Sequence, residues 1–275
     1  MKRFCQKIAG IIIITLLLTE LMGCAGNTLP DNAHDLLSIA YSEMTDLKSY
    51  SVTTQLKLTL NYTQETKEIS VRSKTAAHNE PFEVITEHIM CNQGKEESPT
   101  YTYLFEKDEK IYQCEYENQE WKKEEVDDTR KELVASPIEF GTYFIDIDSF
   151  EIITEEEGAI VLEGRILKDN IEQALIQTGV LKQFLLTSFP IEKVEEIPDI
   201  KVRAWIAKDT VTINKVEIDM KETVQALINS LFGEGSVTGS KVESCIFIID
   251  QVLRNKVEAI TLTSEVTKGL EAIRN

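Results

Sequence analysis

The sequence predicts an α+β fold in which β structure dominates, with about eleven strands and roughly four or five helices. Three observations carry that reading. From Tyr50 to Tyr62, the residues Tyr50, Val52, Leu56, Leu58, Leu60 and Tyr62 sit at alternate positions, with Ser51, Thr53, Gln55, Lys57, Thr59 and Asn61 between them. A period of two over that length requires a long strand with one apolar and one wet face. Further β-prone runs follow at short intervals over 68–75, 82–90, 100–106 and 110–117, divided by turn formers such as Asn92-Gln93-Gly94 and Lys107-Asp108-Glu109. A helical segment precedes this antiparallel meander, and the same helix-then-strands order returns in the second half without a sequence repeat.

Taken in order, the chain opens on the basic residues Lys2, Arg3 and Lys7, continues through an almost unbroken apolar run over 8–19, and reaches Leu21-Met22-Gly23-Cys24. A run of about 12 residues makes roughly 18 Å of helix against ~30 Å of hydrocarbon, too short to span a bilayer and suited to the core of an export signal. Gly23 is the small residue a signal peptidase needs at the scissile bond, and Cys24 brings the thiolate that takes a diacylglyceryl group. Leu21, Gly23 and Cys24 resemble the Leu-x-Gly-Cys lipobox of bacterial lipoproteins, although Met22 is larger than the residue usual there. The resemblance implies cleavage guided by Leu21, Met22 and Gly23, lipidation of Cys24, and a protein held by acyl chains on the outer face of the bacterial cell membrane. A signal cleaved without lipidation and an uncleaved anchor are the alternatives. Cys5 lies within the leader.

Residues 25–33 are small, polar and broken by Pro30, and read as a tether reaching at most ~30 Å. The expected organisation is a signal peptide over 1–23, a lipidated tether over 24–33 and one domain over 34–275. Asp31 or Asn32 is placed to cap a helix running to about Leu47, with Leu36, Leu37, Ala40, Tyr41 and Met44 on one stripe. After the meander, Trp121 begins a charged stretch to Glu132 that reads as a solvated loop or exposed helix face, and 136–144 reads as a short helix. Segments 150–154 and 159–166 flank Glu155-Glu156-Glu157-Gly158 as a hairpin. Asp169 is placed to cap a helix bearing Ile171, Ala174, Leu175, Leu181 and Leu185, interrupted at Gly179. Pro190 and Pro198 bracket a connector. Strands are expected over 200–207, 211–220, 242–253 and 257–263, a helix over 223–232, a loop over 233–239, and a terminal helix marked by Val266, Leu270 and Ile273.

The formal charge is −18, and removing Lys2, Arg3, Lys7 and Glu20 with the leader leaves 26 basic and 46 acidic side chains, or −20. Such a polyanion is repelled by phosphate backbones and anionic headgroups, so nucleic acid is disfavoured and not expected as a partner, and lipid, not charge, must hold the protein at a bilayer. Three cysteines remain besides Cys24: Cys91, Cys114 and Cys245. The odd number argues against a disulfide framework and leaves two readings open, a Cys91–Cys114 pair or three thiols.

No catalytic or metal signature stands out, and neither a cofactor nor a metal is expected. His34, His78 and His88 lack metal-pair spacing, and His88 shares a strand face with Phe82 and Val84, where a packed histidine is the simplest account. No Gly-x-Ser-x-Gly elbow is present. Gly233-Glu234-Gly235-Ser236-Val237-Thr238-Gly239 has one residue too many for a dinucleotide loop and follows a helix. Asp146-Ile147-Asp148 and Glu155-Glu156-Glu157 lack a calcium-loop pattern. Tyr101, Tyr103, Tyr112, Tyr116 and Trp121 crowd a short region, either lining a cavity or packing against the first helix.

Four local features resemble the LolA/LppX-like envelope lipoproteins. They are the helix-to-strand entry from Ala40-Tyr41 to Asp46-Leu47-Lys48-Ser49-Tyr50-Ser51, the hairpin Lys110-Ile111-Tyr112 leading to Trp121-Lys122-Lys123, the segment Ala204-Trp205-Ile206-Ala207-Lys208-Asp209-Thr210, and Asn255-Lys256-Val257-Glu258-Ala259-Ile260-Thr261-Leu262. The resemblance implies a curved, open antiparallel sheet, a half-barrel wrapped around helices, with an apolar cavity for a lipid or other hydrophobic ligand. The expected cavity walls are Val52, Leu56 and Leu58, Phe82 and Val84, and Val202 and Ile206. A surface platform for a protein partner, without a cavity, is the rival from another class, and an extracellular enzyme is the third.

Overall fold

The computed structural model describes residues 29–45, 47–61, 65–128, 131, 134, 146–156, 158–184, 186, 197–232 and 241–274. Residues Asn32–Asn275 form one compact unit. The leader, the tether up to residue 28, Tyr62, the helix expected over 136–144, Glu157, the loop over 233–239, Leu185 and Pro190 lie outside the described residues.

Helix α1, Ala33–Thr45, starts where expected: Asn32 Oδ1 accepts the Asp35 backbone N–H at 2.8 Å, and Asp35 adds a favourable charge in the first turn. Its stripe of Ala33, Leu36, Leu37, Ala40 and Met44 is buried. Strands β1 Ser49–Asn61, β2 Thr66–Asn79, β3 Phe82–Asn92, the two-residue β4 Lys95–Glu96, β5 Thr100–Lys107, β6 Lys110–Glu117 and β7 Glu120–Val126 then form a continuous antiparallel meander. Its tight turns have the left-handed backbone a twisted hairpin demands: Gln93 and Gly94 at φ 52° and 74°, Asp108 and Glu109 at 53° and 61°, Asn118 and Gln119 at 52° and 69°.

The second half supplies β8 Glu151–Glu156, β9 Ala159–Ile166, helices α2 Ile171–Gln177 and α3 Val180–Gln183, strands β10 Ile200–Ala207 and β11 Ile213–Asp219, helix α4 Lys221–Phe232, strand β12 Lys241–Arg254 and helix α5 Ser264–Arg274. Gly179, at φ 74°, separates α2 from α3 as its position in the sequence predicts. Asp169 makes no cap; it falls inside a 3-10 turn over Lys168–Asn170.

The strands join into one open sheet in the order β7-β6-β5-β3-β2-β1-β12-β11-β10-β9-β8, with β4 beside β3. Every pairing is antiparallel. The two meanders therefore run outward from a central seam where the first strand meets the last. The fold is the α+β, curved open sheet that the sequence predicts.

Two expected elements differ. The charged stretch after Trp121 is partly a strand: β7 alternates Trp121, Lys123 and Glu125 with Lys122 and Glu124, and a strand at a sheet edge tolerates charge on both faces. Segment 257–263 is not a strand. Both edges of β12 are already occupied by β1 and β11, so the segment has no ladder to join there. It runs as an extended strap, with the Glu258 N–H donating to Ser51 Oγ at 2.7 Å, and delivers α5.

Candidate functional site

Because side chains alternate along a strand and register aligns them across strands, the strand pairing fixes which residues share a face. Leu56 stands opposite Val71 on one side and Phe247 on the other, Phe247 opposite Ile218, and Ile218 opposite Val202. Tyr50 stands opposite Ala77, and Ala77 opposite Val84. All seven expected lining residues, Val52, Leu56, Leu58, Phe82, Val84, Val202 and Ile206, fall on this one face and are buried. The buried stripes of α1, of α2 and α3 (Ile171, Ala174, Leu175, Val180, Leu181) and of α4 (Val224, Leu227, Ile228) complete this core. Helix α1 contacts β10 and β11, and α4 contacts β12. This is the inner face.

Toward β2, β3 and β5 the inner face changes character. Thr54 aligns with Ser73, Ser73 with His88, and His88 with Thr100; one row along, Val52 aligns with Thr75, Thr75 with Thr86, and Thr86 with Thr102. These two rows form a belt of six hydroxyls and one imidazole, each half-buried. It lies between the apolar row Leu56, Val71 and Met90 and the row Tyr50, Ala77, Val84 and Leu104. Ser73 Oγ lies 2.8 Å from His88 Nδ1, Thr102 Oγ1 lies 3.4 Å from Nε2, and Thr75 Oγ1 lies 3.0 Å from Thr86 Oγ1. Desolvation lowers the His88 pKa to about 4, with the charge of Lys182 on α3 acting in the same direction. The imidazole is therefore neutral at physiological pH, with one ring nitrogen a donor and the other an acceptor. Ser73 and His88 have the contact distance of a nucleophile and base, but the far ring nitrogen faces Thr102 where an orienting carboxylate would be needed. What the geometry shows is a half-buried polar surface of hydroxyls around one neutral imidazole.

The aromatic cluster lies on the opposite, outer face. Ile85, Tyr103, Phe105, Tyr112, Cys114 and Trp121 pack against Leu262, Leu270 and Ile273, so their covering helix is the last one in the chain, not the first as expected. Tyr103 and Phe105 stack at 5.2 Å, and Phe105 and Tyr112 at 5.5 Å. Tyr103 Oη donates to Glu83 Oε1 at 2.8 Å, and burial with that carboxylate raises the phenol's pKa. Trp121 Nε1 donates to Val266 O at 3.2 Å. Lys107 and Lys123 donate to the Arg274 and Ile273 carbonyls, satisfying acceptors that a helix C-terminus leaves open. These contacts form a docking seam for α5.

Cys91, Cys114 and Cys245 are free thiols. Strand β5 separates Cys91 on β3 from Cys114 on β6, which rules out a bridge between them. Among the described residues there is no group of three or more metal-ligating side chains, and no helix is long and apolar enough to cross a membrane. A recess of about 470 Å³ beside β9 is lined by Ile153, Leu167 and polar groups including Glu163, Arg165 and Lys201, and is not part of the inner face.

The belt was legible only after pairing. Its residues are scattered over four strands, and the one sequence signal is the break in the β2 and β3 patterns, where Ser73, Thr75, Thr86 and His88 stand at core-phase positions.

No protein-family model matches the chain, and no curated protein matches it. Solved structures with a related outline include a DUF1329 family protein from Desulfovibrio piger, at 10% identity and TM-score 0.26, covering 82% of this chain and 93% of that one. A beta-barrel-like protein of domain of unknown function DUF1849 from Brucella abortus shows 7% identity and TM-score 0.26, over 76% and 99% of the two chains. A putative outer membrane lipoprotein-sorting protein domain from Vibrio parahaemolyticus shows 10% identity and TM-score 0.28, over 86% and 97%. At these scores the likenesses bear on neither function nor location.

Proposed function

We propose that this protein is an exported lipoprotein that binds a lipid or other hydrophobic ligand on the inner face of its sheet, while acyl chains on Cys24 hold it at the outer face of the cell membrane. The observation that carries the reading is the shared register: seven apolar positions and a hydroxyl-rich belt lie on one side of an open sheet, beside half-buried Ile69 and Val71 and the 37% exposed Met90. Removing apolar ligand area from water supplies about 25 cal/mol per Å², and the patch of Ile69, Val71 and Met90 offers apolar surface not yet covered. Two acyl chains on Cys24 give the durable anchoring that a polyanion does not obtain from charge.

A second reading, a surface platform without a cavity, is favoured by the complete burial of Val202 and Ile206 within the helix-packed core. One experiment separates the two. Residues 25–275 are expressed without the leader, purified and extracted with organic solvent, and the extract is examined by mass spectrometry. A recurrent lipid supports the carrier; a folded protein that yields a clean extract refutes it and leaves the platform. Lipidation is tested separately by metabolic labelling with a radioactive fatty acid, and a Cys24→Ala chain that still takes up label refutes the anchor.

A further inference from the structure

We infer that the belt formed by Thr54, Ser73, Thr75, Thr86, His88, Thr100 and Thr102 is a recognition site for the uncharged, hydroxyl-bearing headgroup of a lipid. The inference rests on the proposed inner-face ligand site and names the headgroup it selects. Three features of the belt point to that class.

First, its two rows contain no Asp, Glu, Lys or Arg on β1, β2, β3 or β5. Each hydroxyl donates one hydrogen bond and accepts two, and a neutral imidazole offers one of each, so the belt presents donors and acceptors in nearly equal supply. A glycerol or sugar headgroup has the same balance. A phosphate offers acceptors only and is better served by guanidinium or ammonium groups. Lys182 is the cation that acts on His88, and it stands on α3, outside the belt itself. Glu115, opposite Thr102 on β6, supplies the opposite charge at the far end of the second row.

Second, the hydroxyls are half-buried and partly paired with one another, as in Thr75–Thr86 and Ser73–His88. Such pairing offsets the desolvation cost of a polar row at core-phase positions, and each hydroxyl that makes one bond to a neighbour keeps further capacity that water or a polar ligand can fill. Third, Val71 and Met90 continue the same face one row away, so a headgroup seated on the belt leaves its chain lying along apolar surface.

The test uses the full lipidated chain, released from membranes into a zwitterionic detergent and examined by native mass spectrometry. It is offered 1-monooleoylglycerol, oleoyl lysophosphatidic acid and methyl oleate in equal amounts. The expected result is a monooleoylglycerol adduct exceeding the lysophosphatidic acid adduct by about tenfold, a difference that corresponds to roughly 1.4 kcal/mol. Replacing both members of the paired hydroxyls with isosteric apolar groups, Thr75→Val with Thr86→Val, leaves no orphaned partner and preserves the fold, which circular dichroism checks. That variant and a separate Ser73→Ala variant are each expected to lose the monooleoylglycerol preference while still taking up methyl oleate. Preference for the phosphate lipid, or unchanged preference in both variants, overturns the headgroup assignment and leaves the ligand reading standing. Failure to take up any of the three overturns both.

Discussion

Gly164→Ala is expected to destabilise the fold by about 1–3 kcal/mol, and the reason is one ring. Gly164 lies on β9 opposite Val202, in the inner-face phase, and the Phe150 side chain occupies the space where a Cβ would stand. A methyl placed there meets Phe150 Cε2 and Cγ at 2.5 Å, against the ~3.5–4.0 Å of an ordinary carbon–carbon contact. The ring must therefore shift by about 1 Å or more, or leave. It has little freedom to shift, since Phe150 is 5% exposed and follows a 3-10 turn whose Ser149 Oγ accepts the Arg165 N–H at 3.0 Å. If the ring stays, strain of this kind costs about 1–3 kcal/mol; if it is expelled instead, the lost burial costs ~1.5–3 kcal/mol, so either route gives the expected loss. Urea denaturation reads it as a lower midpoint at an unchanged slope. Phe150→Ala alone leaves a hole and costs about 3–5 kcal/mol, but combined with Gly164→Ala the new methyl fills part of that hole. The double variant is thus more stable than the sum of the single losses by at least about 1 kcal/mol. Strict additivity, or a Gly164→Ala loss below about 0.5 kcal/mol, would falsify the packing argument.

Three further outcomes follow from the same geometry. A Cβ at Gly269 would stand 2.6 Å from Trp121 Cδ1, so Gly269→Ala weakens docking of α5, whereas in a Trp121→Ala background the gain in helix propensity of up to about 1 kcal/mol makes it stabilising; hydrogen exchange over 264–274 reports both. His88 has its pKa lowered to about 4 in the folded chain, so between the ordinary 6.5 and about 4 the unfolded chain binds a proton that the folded one does not. Stability therefore falls as pH drops through that window, and His88→Gln removes that part of the slope in urea titrations at about pH 7 and about pH 4.5. Burial pushes the Cys114 thiol up to about 11 and the Cys245 thiol up to about 12, so iodoacetamide at about pH 8 labels half-exposed Cys91 in the native protein and reaches the other two only on unfolding, as peptide mapping will show.

What could be read from the chain divides along a physical line. Local pattern is written in neighbouring residues, so the alternation over 50–61, the turns at Asp108-Glu109 and Asn118-Gln119, and the break at Gly179 were all legible. The inner-face phase of Val52, Leu56, Leu58, Phe82, Val84, Val202 and Ile206 was legible for the same reason. Whatever depends on which strand neighbours which was not. The belt exists because Ser73 meets His88 across β2 and β3 and Thr86 meets Thr102 across β3 and β5, and no local window contains both members of the second pair with a signal above ordinary β composition. The strap at 257–263 carries a strand's composition, and only the prior occupation of both β12 edges keeps it out of the sheet. Of the two readings open for the aromatic cluster, packing is the one observed, but against the last helix and not the first, because nothing in Tyr103 or Trp121 reveals which end of the chain returns to them.

The seam between β1 and β12 explains why the sheet stays open. Two meanders that start side by side grow away from each other, and closure would require their last strands, β7 and β8, to pair. Both are poor candidates. Strand β7 carries Glu120, Lys122, Lys123, Glu124 and Glu125, and β8 carries Glu151, Glu155 and Glu156 with every residue exposed. Charge on both faces of an edge strand opposes further pairing, since any added strand must desolvate it. Several of these charges also have partners elsewhere: Lys123 holds the α5 terminus, Glu125 pairs with Lys110, Glu155 with Lys208, and Glu156 accepts from Trp205 Nε1. The same side chains that finish the outer face thus keep the two rims apart. On the proposed reading, the open rim beyond β5 and the uncovered Val71 and Met90 are where an amphiphile would enter, its headgroup on the belt and no strand having to part.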